Sequence, residues 1–302
     1  MVTDHKEFNM LSFPRVGDYG YLGNAMFQYS ALLGIADKHG YDPVYDYEKV
    51  GTMVTLHDHF NISKAKQMEQ WKQVHGIGRI WKEPHFHFSD FAFMDKPPLS
   101  SERKKKLGIA DDSHPIIKDD TGLNGYFQSE KYFKHIEDTI RSEFTFSDEV
   151  KGQCEEILKS IKKDGKTIVS LHVRLGDYKL LEHVYVPLVK TDYYQKAISY
   201  LSNEFGEDNL HFIILSDEPE TCKQIFQGGN IAYVEGGSQT QDMCIMTMCD
   251  HNIIANSSFS WWGAWLNDNK DKKVIAPQGW FQPNEKDPKN TKDLYCDDWI
   301  VL

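Results

Sequence analysis

Residues 166–178 read KTIVSLHVRLGDY. The run from Thr167 to Val173 is β-branched and nearly continuous in apolarity, the pattern of a short strand buried on both faces. It leads directly into Arg174. No other arginine stands between Lys151 and Leu302, although the chain uses lysine freely there. A guanidinium reserved for the mouth of a buried strand asks for a reason beyond solubility.

Working outward, the same strand pattern recurs in LHFIILSD (210–217), NIAYV (230–234), HNIIANS (251–257) and KKVIAP (272–277). Between these runs, TDYYQKAISYLSNEFG, EPETCKQIFQ, TQDMCIMTMCD and SSFSWWGAWLNDN each have room for a helix. Strand alternating with helix predicts a parallel α/β layer, which takes ligands beyond the carboxyl ends of its strands. The first half is less regular. NAMFQYSALLGIADKHG (24–40) has helical spacing and a terminating Gly40, and YDPVYDY reads as a strand after it. The 57–103 stretch is rich in His, Phe and Lys, with periodicity too weak to assign elements. NGYFQSEKYFKHIEDTIRSEF (124–144) reads as a strand and then a helix, and the next helix begins at a Ser147 cap with an acidic first turn.

A chain of 302 residues exceeds what one hydrophobic core usually serves, so two domains are expected. Their boundary falls in the 145–165 interval, which we divide as 1–155 and 156–302. A net charge of -11 argues against non-specific binding of nucleic acid or anionic membrane by the body of the protein. The start MVTDHKEFNMLSFPRV does not read as a secretory signal, and no run approaches the roughly 18 to 20 apolar residues of a membrane span. The five cysteines are scattered without C-x-x-C spacing, and Cys244 and Cys249 read as small core residues. A reducing cytoplasm is the expected location.

Residues with chemistry cluster at the expected carboxyl ends of strands. After the first come His172, Arg174, Gly176 and Asp177; after the second, Ser216 and Asp217; after NIIA, Asn256, Ser257, Ser258, Phe259 and Ser260 open a helix. Arginine offers a planar donor fork that matches a phosphate bidentately, and it never loses its charge. Asn-Ser-Ser is a strong helix start whose unpaired N–H groups form an anion site. Asp217 and Asp242 are candidates to accept hydrogen bonds from a nucleoside. Together these suggest a pyrophosphate clamp with nucleoside contacts. Plainer readings stand beside it: Arg174 and Asp177 as a structural turn pair, Ser257-Ser258 as an ordinary cap, and Trp261, Trp262 and Trp265 as core. His57/His59 and His85/His87 lack a third metal ligand nearby, and no D-x-D occurs, so no metal is expected.

These residues resemble glycosyltransferase family 11, the α-1,2-fucosyltransferases. YLGNAMFQYSALLGIADKHG (21–40) resembles that family's opening motif, GYFQSEKYF (125–133) its middle segment, LHVRLGDY (171–178) its arginine motif and ANSSFSWWGAWLN (255–267) its late serine-aromatic motif. The resemblance implies an α/β fold of GT-B type, two Rossmann-like domains facing across a cleft. It implies GDP-fucose on the second domain and the acceptor sugar on the first. It further implies inverting, metal-independent transfer of L-fucose from GDP-β-L-fucose to the 2-hydroxyl of a terminal galactose, with no cofactor. Carried over by residue, Arg174 contacts the β-phosphate beside His172, Ser216, Asp217 and Asp242 serve the nucleoside side, and Asn256, Ser257, Ser258 and Phe259 hold pyrophosphate and fucose. Asn24 faces the reacting sugar, and the proton acceptor stays open between Asp177, Asp18 and late proton loss beside a weakly basic Asn24. Leu175 stands where the family has a second arginine, Ala25 where glutamine is common, and Tyr21 where glycine is usual. Two rival readings stay open: a fucosyltransferase acting on protein or another sugar position, and a catalytically silent sugar-nucleotide-binding module.

Overall fold

The alternation of strands and helices read in the second half becomes a parallel sheet, and the less regular first half forms another. The computed structural model describes residues 9–18, 20–48, 53–68, 78–94, 117–284 and 289–302. It divides into two compact units, Met1–Thr145 with Asn290–Leu294 and Phe146–Lys289 with Tyr295–Leu302. The division lies ahead of the 155/156 boundary read from sequence. That boundary would cut the helix Asp148–Ile161, which Ser147 caps by accepting the Val150 N–H at 3.3 Å.

In the first unit, β1 (Met10–Ser12), β2 (Asp42–Tyr45), β3 (Lys66–Gln67), β4 (Arg79–Lys82) and β5 (Thr121–Asn124) pair in parallel in the order β3-β2-β1-β5-β4. Helix α1 (Leu22–His39) follows β1, and its face is almost wholly buried from Leu22 to Ala36. It ends as the sequence predicts, at Gly40 in the left-handed region with φ 68°, where a side chain would be strained. In the segment read as strand-then-helix, β5 ends at Asn124 and α2 begins only at Glu137, spanning Glu137–Glu143, with tight single turns between. The 57–103 stretch, part of which lies outside the described residues, supplies β3 and β4. Their sequences, KQ and RIWK, are short and mostly exposed, so no apolar run marked them as strands.

In the second unit, helix α3 (Asp148–Ile161) precedes β6 (Thr167–Val173). There follow α4 (Tyr193–Phe205), β7 (Leu210–Ser216), α5 (Pro219–Ile225), β8 (Ile231–Tyr233), α6 (Gln239–Thr247), β9 (His251–Ile253), α7 (Ser258–Leu266), β10 (Val274–Ala276) and β11 (Ile300–Val301). The sheet is parallel, in the order β11-β10-β9-β6-β7-β8. Counted from its own first strand this is 3-2-1-4-5-6, the order of dinucleotide-binding sheets, whose ligand crevice opens where the winding reverses. Here the reversal falls between β6 and β9.

One face of β6 and β7 is apolar: Val169, Leu171, Val173, Phe212 and Ile214 join Tyr194, Ala197 and Leu201 of α4 in one core, while Ser170 and His172 of β6 are buried on the other face. Trp261 and Trp262 are fully buried and Trp265 nearly so, as expected of aromatic residues at helical spacing. The α6–α7 contact is close at Gly263, where an added Cβ would lie 2.5 Å from Met246 Sδ and 2.9 Å from its Cβ. Gly263→Ala is therefore expected to cost about 1–2 kcal/mol through overpacking, read as a lower urea midpoint. An unchanged midpoint would show that the two helices part freely.

Candidate functional site

Parallel register decides which residues meet in the second unit. Leu171 of β6 lies opposite Ile253 of β9, so the chain leaves these neighbouring strands as Arg174 on one and Asn256-Ser257-Ser258 on the other. Both sit at the carboxyl end, at the winding reversal. Ser257 is the N-cap of α7, its Oγ accepting the Phe259 N–H at 3.3 Å. Ser260 stiffens the approach, with its Oγ accepting the Ala255 N–H at 3.1 Å. The Phe259 ring comes to 5.5 Å from the His172 ring, centroid to centroid.

The guanidinium is held on two sides. Nη2 of Arg174 donates to Asp177 Oδ1 at 2.6 Å, and Nη1 lies 2.9 Å from Asp217 Oδ2. Asp217 Oδ1 also accepts the Leu175 N–H at 3.0 Å. Asp217 thus fixes the loop after β6 as well as the arginine, a role the sequence reading did not foresee. The Arg174–Asp177 turn pair is likewise present as a contact. Tyr178, not singled out from sequence, places its ring under the guanidinium at 5.6 Å and donates its hydroxyl to Asn256 O at 3.1 Å. It stacks on Tyr185 at 4.1 Å. The aromatic residue after Gly-Asp in LHVRLGDY was the available signal.

Position 175 resolves one sequence departure. Leu175 is 5% exposed and belongs to the hydrophobic core of this unit. Its side chain points away from the strand mouth, so Arg174 carries the positive charge there without help from its neighbour.

His172 is buried, with its Nδ1 lacking a hydrogen-bond partner among the described residues. Burial, and then the adjacent Arg174 charge, lower its pKa to about 3, so the imidazole is neutral at physiological pH. Asp242, in the first turn of α6, is pushed up to about 6 by burial. Ser216 Oγ accepts the Glu218 N–H at 3.0 Å, shaping the turn after β7. Asn256 uses its Nδ2 to brace Val186 O and Trp280 O, each at 2.9 Å, a structural task beside any ligand contact.

The first unit holds the other sequence-chosen residue. Asn24, in the first turn of α1, accepts through Oδ1 the Gln128 Nε2–H at 2.7 Å. Gln28, one turn on, donates to Gly125 O at 3.2 Å and accepts the Gly17 N–H at 3.2 Å. These amides join the end of β1 to the end of β5, adjacent parallel strands, again where winding reverses. Asp18 is ion-paired with Arg15 at 3.1 Å. Ala25 is fully buried and Tyr21 half exposed.

Glu83 secures the turn after β5. Its Oε2 accepts the Tyr126 and Phe127 N–H groups at 2.8 and 3.0 Å, and burial raises its pKa to about 7 against the opposing pull of those bonds. The unfolded chain releases this proton near 4.5 and the folded one near 7, so the carboxylate erodes stability as pH rises between them. Glu83→Gln keeps an acceptor for both N–H groups without the charge. Its stability relative to wild type should be more favourable at pH 8 than at pH 5, by about 2–3 kcal/mol from the size of the shift. Urea unfolding at the two pH values reads this difference, and equal differences would contradict it.

Among the described residues no group of three or more His, Cys, Asp or Glu is placed to hold a metal, and no helix is long and apolar enough to cross a membrane. All five cysteines are free and buried.

With this geometry in hand, comparisons with known proteins place the chain. The model of the family described as Glycosyl transferase family 11 matches residues 13–302. The chain is 30% identical to an alpha-1,2-colitosyltransferase of Escherichia coli over 94% of its length and 96% of the relative's. It is 34% identical to the O-antigen biosynthesis glycosyltransferase WbnK of Escherichia coli, over 62% of each chain, so it spans less than two thirds of that relative. It is 25% identical to galactoside alpha-(1,2)-fucosyltransferase 1 of Leontocebus fuscicollis over 87% of its own length and 72% of the relative's. Among solved structures, POFUT1 in complex with GDP superposes with a TM-score of 0.54 at 11% identity, covering 89% of this chain and 98% of that one. That likeness identifies the fold as GT-B type. The sheets, the motifs and the family match agree, and the chain belongs to glycosyltransferase family 11.

Proposed function

We propose that this glycosyltransferase transfers L-fucose from GDP-β-L-fucose to the 2-hydroxyl of a terminal galactose, with inversion and without a metal or other cofactor. The observation that carries the reading is the juxtaposition of Arg174 at the end of β6 with the Ser257-capped start of α7 after β9. A nucleoside diphosphate suits that pair: the guanidinium forks onto the β-phosphate and the helix N–H groups receive the remaining oxygens. His172, Ser258 and Phe259 then border the sugar and pyrophosphate, with Asn256 behind them, and Ser216, Asp217 and Asp242 lie on the nucleoside side. The family match and the α-1,2-fucosyltransferase relative support the donor and the linkage.

In the proposed reaction the acceptor hydroxyl attacks the anomeric carbon from the face opposite GDP, and the bond to the β-phosphate oxygen breaks. The transition state has oxocarbenium character, and negative charge grows on the leaving phosphate. A fixed cation at that oxygen stabilises the transition state more than the ground state. Asp177 serves this by holding the guanidinium in plane. Asn24 belongs to the acceptor side, on the first unit.

The colitosyltransferase relative favours a second reading of the donor, in which the transferred sugar is colitose, the 3-deoxy counterpart of fucose. Mass spectrometry of products from GDP-fucose and GDP-colitose with a panel of galactosides, followed by linkage analysis, tests both. An α-1,2-fucosyl galactoside is expected. Transfer of colitose alone would replace the donor, and another linkage or a protein product would replace the acceptor. GDP binding with no product from either donor would leave a silent sugar-nucleotide-binding module.

A further inference from the structure

The middle motif GYFQSEKYF contains a side chain whose bonding is half complete. Gln128 is 7% exposed; its Nε2 donates to Asn24 Oδ1, and its Oε1 has no hydrogen-bond partner among the described residues. A buried carbonyl oxygen left without a donor costs about 1–3 kcal/mol, so its retention calls for a partner supplied from outside.

The surroundings hold that oxygen in place. Phe127, the residue before it, has a φ of 54°, in the left-handed region that a bulky side chain avoids. The turn is kept there by Glu83 accepting the N–H groups of Tyr126 and Phe127. The fully buried Phe127 ring also packs at 5.6 Å from Phe13, 6.0 Å from Trp81 and 5.0 Å from Tyr132. Gly125 is required beside it, because a Cβ would meet Glu83 Cβ at 2.5 Å. Gly20 makes room for the partner amide, since a Cβ there would fall 1.9 Å from Asn24 Nδ2. The chain thus maintains a strained turn at the winding reversal of the first sheet, the place where such sheets take ligands, and it presents one unsatisfied acceptor.

We infer that Gln128 Oε1 accepts a hydrogen bond from a hydroxyl of the acceptor sugar, while Nε2 fixes the orientation of the Asn24 amide. This rests on the proposed galactoside acceptor. A neutral carbonyl oxygen selects a hydroxyl donor over a phosphate or carboxylate, and it is far too weakly basic to remove the proton. Gln128 is a recognition and positioning residue.

The test measures GDP release from GDP-fucose by wild type, Gln128→Leu and Gln128→Glu, with a β-galactoside and its monodeoxy analogues. Gln128→Leu should raise KM for the galactoside about 10-fold or more, with KM for GDP-fucose within twofold of wild type. One monodeoxy analogue should cost wild type a similar factor and cost Gln128→Leu nothing further, the coupling expected of two groups in contact. Gln128→Glu keeps an acceptor oxygen but loses the donor to Asn24. It should lower kcat more than it raises KM, and it keeps the test alive if the leucine variant fails to fold. Normal acceptor KM in a folded Gln128→Leu, or no coupling with any hydroxyl, would overturn the assignment and leave the proposed function standing. A wild-type enzyme that transfers to no galactoside would remove the acceptor itself and this assignment with it.

Discussion

Arg174→Lys is expected to fold as wild type does and to lose about 100- to 1,000-fold in kcat. Lysine keeps the charge but not the fork. In the structure the two η nitrogens reach separate carboxylates, Asp177 at 2.6 Å and Asp217 at 2.9 Å, and the one nitrogen of lysine can neither stand at both positions nor offer a phosphate two parallel donors. The loss should appear in kcat more than in GDP affinity, because the contact matters most when charge arrives on the leaving group. Its size follows from what one preorganised donor at a developing oxyanion contributes. Near-normal kcat in the folded variant would reduce Arg174 to a structural turn residue.

Gly176→Ala carries the second large effect. A Cβ at position 176 would lie 2.4 Å from Asp217 Oδ2, the oxygen that faces Arg174 Nη1. Asp217 would have to withdraw, releasing the arginine and the Leu175 N–H together. Misplacing a catalytic group by about 1 Å costs on the order of 100-fold, so kcat/KM should fall by roughly 10- to 100-fold while the thermal midpoint moves little. Pairing the change with Asp217→Ala should give no additional loss, because both remove the same restraint. Additive losses would place the glycine's importance elsewhere.

Much of the second unit was legible in the sequence because its strands are buried on both faces. β6 and β7 appear as nearly continuous apolar runs, and the segments between the strands have room for helices. β3, β4 and β11 were missed for the opposite reason: they are two to four residues long, lie at or near sheet edges and carry exposed residues. At the site, Arg174 and Ser257 were found because their chemistry is local to a motif. Asp217 as the holder of Arg174 was not, since a pairing over 43 positions of sequence leaves no periodic trace. Gln128 sat inside a quoted motif, yet its bond to Asn24 spans 104 residues, and only the fold brings the two amides together. Leu175 shows the reverse: the sequence places it where the family has a second arginine, and the fold puts its side chain in the core.

The central claim, that Arg174 and the start of α7 together grip a diphosphate, is tested most directly by a crystal structure of the GDP complex. The account predicts Arg174 donating to the β-phosphate within about 3 Å, with the Ser258 N–H at the start of α7 turned to the same group. Phosphates bound elsewhere, with the guanidinium still closed on Asp177 and Asp217 alone, would contradict it.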